Sequence, residues 1–113
     1  MVIEKGAKVH IITRRIFETD LRRHFVGEVK SATENVIFVE GYAFIFDTRI
    51  HAFEKRPELR QRIFSLINNG NIIFVLPPTA DLEKMTYHIT EEHRLVITDG
   101  SCSLDINEFG AQR

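Results

Sequence analysis

Residues 36–46, VIFVEGYAFIF, are apolar at both alternating sets of positions except at Glu40. A strand of this kind is covered on both sides, or bends so that each half buries a different face. Gly41 stands where such a bend falls, because a glycine inside a strand often marks a bulge or a barrel corner. The flanking segments also read as strands. Val9 to Thr13 is short and β-branched. In His24 to Ser31, Phe25, Gly27 and Val29 share one face, with His24, Val26, Glu28 and Lys30 on the other. Ile72 to Leu76 is wholly apolar and ends at Pro77-Pro78.

Residues 57–70, PELRQRIFSLINNG, fit two patterns. As a helix, Pro57 takes the first position, Leu59, Ile63, Leu66 and Ile67 repeat at helical spacing, and Gly70 terminates it. As a strand, Arg60, Arg62, Phe64 and Leu66 share a face, and Asn69-Gly70 makes a hairpin turn into Ile72–Leu76. Asn-Gly between two apolar runs is a strong hairpin signal, so the strand is preferred. Thr79 to Met85 predicts one helical turn. Thr86 to Thr90, Arg94 to Thr98 and Ser101 to Ile106 predict three short strands, the last two joined by a hairpin turn at Asp99-Gly100. Asp47 to Arg56 is charged and without period, and reads as a long exposed loop. Asn107 to Arg113 reads as a frayed polar tail.

Composition narrows the class. The chain has 113 residues, 43% of them hydrophobic, which suits one packed domain rather than a disordered chain. A single Cys forms no internal disulfide and no Cys-based zinc site. The first residues show no secretory signal, and no stretch approaches the ~20 apolar residues of a membrane helix. A cytoplasmic domain is expected. Net charge is −1, divided into +3 over residues 1–63 and −4 over residues 64–113.

Two segments resemble a known family. Phe25-Val26-Gly27-Glu28-Val29 followed by Asn35-Val36-Ile37-Phe38-Val39 is similar to the first signature of Sm-like proteins. Ile67 to Pro77 (INNGNIIFVLP) resembles the second, a polar turn leading into an apolar strand that ends in Pro. The resemblance covers residues 22–78. It implies an all-β fold: a small, strongly bent antiparallel barrel of Sm/SH3-like type over 1–78. Residues 79–113 would add a C-terminal β-hairpin extension packed on the same domain. It also implies a homo-oligomer assembled through strand edges, with single-stranded RNA held at turns that correspond to Asn35, Asn69 and Asn71.

The chemistry expected from the residues is binding rather than catalysis. Arg22, Arg23, Arg60 and Arg62 are the basic cluster that two neighbouring strands would bring together, and Arg matches phosphate through two parallel hydrogen bonds. Arg14-Arg15 is a further basic pair. The same arginines also suit edge protection, paired with Glu18, Asp20 or Glu58. His88, Glu91, Glu92 and His93 match no zinc spacing and read as a solvated turn. Ser101 and Cys102 have no general base near them in sequence. His10, His24 and His51 read as surface or strand-edge residues. Phe38, Tyr42, Phe44, Phe46 and Phe74 read as core. The expectation is a non-enzymatic binding module with no metal and no cofactor. Its partner is a second copy of the chain, and RNA or another polyanion; the alternative is a protein-interaction domain.

Overall fold

A computed structural model describes residues 3–13, 22–67 and 70–106. The chain divides into two compact units, Met1–Pro78 and Thr79–Arg113. Among the described residues every pairing is antiparallel and the one helical element is a 3-10 turn at Leu82–Lys84. No described helix is long and apolar enough to cross a membrane.

The first unit holds β1 (Lys8–Thr13), β2 (Arg23–Ala32), β3 (Val36–Asp47), β4 (Ala52–Lys55), β5 (Arg60–Ser65) and β6 (Ile72–Leu76). Across the sheet the order runs β6-β1-β2-β3. Two strands share the far edge of β3: β5 lies against Val36–Gly41, and β4 against Phe44–Asp47. Residues 60–65 are therefore a strand. Its register leaves Arg60, Arg62 and Phe64 facing the same way as Gly41, Val39 and Ile37.

The sheet must bend sharply. Phe25 on β2 lies opposite Ala43, and Phe64 on β5 lies opposite Ile37. In a straight β3 these positions would be about 20 Å apart, at ~3.3 Å per residue. Yet the Phe25 and Phe64 rings have centroids 5.5 Å apart. The strand folds back between Ile37 and Ala43, where Gly41 sits, and a register irregularity between Val29 and Ser31 helps β2 to follow. Gly41 and Gly27 are cross-strand partners whose backbones nearly touch. A Cβ on Gly41 would lie 1.8 Å from the Val26 carbonyl oxygen. Inside the fold lie Val9, Ile11, Phe25, Val29, Ile37 and Val39, with Phe64, Leu66 and Ile73 packed against them.

Three expectations change here. No closed barrel forms: among the described residues β5 and β6 each pair on one side only, with β3 and with β1. For the same reason Asn69-Gly70 does not join paired strands, so the expected hairpin is absent. Gly70 does take a positive φ of 75°, and Asn69 lies outside the described residues. Residues 47–56 are not one long loop. Asp47 accepts hydrogen bonds from the Arg49 amide (2.9 Å) and guanidinium (3.0 Å), and the Ile50 amide reaches the Asp47 carbonyl at 3.3 Å. That local turn, with His51 at φ +53°, returns the chain along β3 as β4. The polarity of the segment hid a strand.

The second unit is a meander of β7 (Thr86–Ile89), β8 (Leu95–Thr98) and β9 (Ser103–Asp105). Met85, Ile97, Ile106 and Ala80 are its buried apolar residues. The β8–β9 turn is longer than the two-residue form that Asp-Gly suggests, since Thr98 pairs with Ser103 and four residues lie between. Asp99 organises it. One carboxylate oxygen accepts from the Ser101 and Cys102 amides, both at 2.9 Å, and from the Ser101 hydroxyl at 3.0 Å. The other accepts from the Asp81 amide at 2.7 Å. These donors favour the ionised form and hold the carboxyl well below the usual Asp range, led by the Asp81 backbone bond. Asp99→Ala would leave four donors without their acceptor. Hydrogen exchange is expected to show faster exchange at the Asp81, Ser101 and Cys102 amides; unchanged protection there would disprove the clamp.

Candidate functional site

The arginines singled out in the sequence fall on two sides of β3. Arg22 and Arg23 are exposed at the start of β2, and Arg60 and Arg62 lie on β5. Strands β2 and β5 are not neighbours, because each pairs with an opposite edge of β3. Arg23 lies opposite Ile45, whereas Arg60 and Arg62 lie opposite Gly41 and Val39. The premise of one basic cluster on adjacent strands does not hold. The Arg22 guanidinium sits 5.1 Å from the centre of the Phe46 ring, and Arg60 pairs with Glu58 at 3.5 Å. Arg62 is exposed and makes no ion pair among the described residues.

The asparagines separate too. Asn35 closes the β2–β3 turn, and its carbonyl accepts from the Leu66 amide at 2.6 Å. Asn71 is half-buried just before Ile72, which pairs with Ile12, so it lies at the end of β1 where Thr13 meets Arg23. Asn69 and Arg14-Arg15 fall outside the described residues.

The open edges of β5 and β6 are chemically unlike. The Leu66–Asn35 bond continues the β3–β5 register, so residues 60, 62 and 64 bond to β3, and the backbone groups of Gln61 and Ile63 point away from it. Ile63 is 69% exposed, with Leu59 and Ile67 also exposed, and Arg62 projects on the alternate face. The β6 edge carries no charge at all. Val75 is 54% exposed there, and Ile72 is exposed on the alternate face.

A row of rings that sequence reasoning missed lies on the sheet face opposite the core. His10 and His24 are not surface residues. His10 is fully buried and His24 half-buried, with ring centroids 5.3 Å apart in an edge contact. Phe53 of β4 stacks on His24 at 4.2 Å, and Phe74 of β6 lies 6.0 Å from His10. The cause is positional: β1 is paired on both sides, and alternation from Val9 and Ile11 turns His10 to the second face. Burial, reinforced by His24, pushes His10 down to about 3; burial, then Arg22, pushes His24 down to about 4. The usable signal was an imidazole inside an apolar β run. Of the aromatics read as core, Phe44 is fully buried, and Phe38, Tyr42, Phe46 and Phe74 are half-buried. Lys55 lies 4.6 Å from the Tyr42 ring centre.

Other chemistry has less geometry behind it. No group of three potential metal ligands converges among the described residues, and His88, Glu91, Glu92 and His93 are all exposed. The Cys102 thiol is pushed up by burial and by Asp99, which opposes thiolate formation. The chain matches no protein-family model, no curated protein and no solved structure.

Proposed function

We propose that this chain is a non-enzymatic protein-interaction module that self-associates through the open edge of β6. The observation that carries this reading is an uncharged apolar strand, Ile72–Leu76, paired on one side only among the described residues and exposed at Ile72 and Val75. Such an edge presents unpaired backbone donors and acceptors as a template for another strand, and proteins that stay monomeric commonly blunt it with charge. The short β4 edge, by contrast, carries Glu54 and Lys55. A five-strand antiparallel path bent about Gly41 also supports the small-barrel character implied by the Sm-like resemblance. Single-stranded RNA, the ligand implied by the same resemblance, is favoured less, because Arg22 and Arg23 are separated from Arg60 and Arg62 by β3.

Sedimentation equilibrium at micromolar concentration tests the proposal. The wild-type chain is expected to run above its 13.1 kDa monomer mass. Val75→Lys places a charge on the edge and should return the mass to the monomer without unfolding, since position 75 is exposed. A monomeric wild type would remove self-association from the reading. Salt-sensitive binding of uridine-rich RNA, weakened by Arg60 and Arg62 replacement, would restore the RNA alternative.

A further inference from the structure

We propose that the open edge of β5 accepts an extended segment of a partner protein in which carboxylates alternate with aliphatic residues. The inference rests on the protein-interaction reading but does not require self-association through β6.

The register supplies the argument. Gln61 and Ile63 direct their backbone donors and acceptors away from β3. A strand laid beside them would continue the ladder, and its side chains would alternate between the two faces of the sheet. On one face it would meet Ile63, paired with the half-buried Phe38, with Leu59 and Ile67 exposed nearby. Aliphatic side chains there would remove apolar surface from water on both partners. On the other face it would meet Arg62 and Arg60. Arg62 has no carboxylate within ion-pair distance among the described residues, and Arg60 has one exposed partner in Glu58. A guanidinium binds a carboxylate through two parallel hydrogen bonds, so carboxylates at alternate positions complement this face.

Charge also selects against the nearest competitor. A second copy offering β6 would place Ile72–Leu76, which contains no acid, against the arginines. A second copy offering β5 antiparallel in a register centred on Gln61 would set Arg60 against Arg62, and like charges across a strand pair are unfavourable. The two open edges thus suit different occupants: the uncharged β6 edge suits a copy of itself, and the β5 edge suits an acidic strand.

The test uses the full chain and soluble peptides of alternating Glu and Val, with alternating Lys and Val as the charge control. The Glu-Val peptide is expected to bind saturably and to slow amide exchange at Gln61 and Ile63, while the Lys-Val peptide does not. Arg62→Glu should weaken the Glu-Val peptide by about fivefold, the scale of an exposed ion pair. Ile63→Pro removes only an outward-facing N–H, a position that tolerates proline at a sheet edge, so the fold should survive while binding is lost. Saturable binding that protects β6 instead of β5, or no binding below about 1 mM, an affinity of only ~4 kcal/mol, would overturn the proposal. The Val75→Lys variant separates the two readings. Peptide binding at β5 should persist in it, and should persist even if the wild type proves monomeric.

Discussion

As pH falls from 6.5 toward 3, the first unit is expected to lose stability on the order of 5 kcal/mol, through His10 and His24. In the unfolded chain both rings take up protons near their ordinary value of 6.5. In the fold they resist, because His10 is fully buried, His24 is half-buried, and His24 and Arg22 add repulsion. Folded values of about 3 and about 4 lie below the unfolded value, so the contribution is complete above pH 6.5 and shrinks as pH falls toward the folded values. Against a typical domain stability of ~5–15 kcal/mol, that loss suffices for acid unfolding before most carboxylates protonate. Urea midpoints measured across this range should fall steeply. His24→Phe keeps a ring against Phe53 and removes the titrating group, so its profile should be flatter, and His10→Leu should act in the same direction. A wild-type profile that is flat above pH 4.5 would refute the assignment.

Gly41→Ala is expected to destabilise the protein by about 3 kcal/mol or more, at the upper end of overpacking substitutions. The reason is contact, since Gly41 does not have a positive φ. Its Cβ would meet the Val26 carbonyl oxygen at 1.8 Å and the Gly27 Cα at 2.5 Å, and backbone of paired central strands cannot swing aside as a side chain can. The two strands would have to part at the bend, and the bend is what brings Phe64 against Phe25. Gly27→Ala should cost less, because its nearest contact is the Val39 side chain at 2.4 Å, although the Glu40 carbonyl at 2.7 Å still resists. Thermal unfolding of the two variants should rank them in that order. A Gly41→Ala protein melting within a few degrees of wild type would contradict the close approach.

What the sequence determined by itself was strand content and the place of the bend. Alternation, β-branching and the Pro77-Pro78 stop are local properties, and they placed β1, β2, β3, β6 and the meander of 86–106 close to where they lie. Gly41 was legible because, beside Glu40, it is a residue without a side chain inside a long apolar run. Strand β5 was legible only as the better of two patterns. Pairing was another matter. That residues 52–55 join the edge of β3 depends on an Asp47-centred turn and on Phe53 finding His24, contacts between segments that carry no mark of each other. The Asn-Gly signal failed as a hairpin because β5 and β6 found longer-range partners in β3 and β1. The arginines were separated, and His10 was buried, by the same cause. Strand order decides which side chains share a face and which edges stay open, and that order is set by the free energy of the whole sheet, not by any window of residues along it.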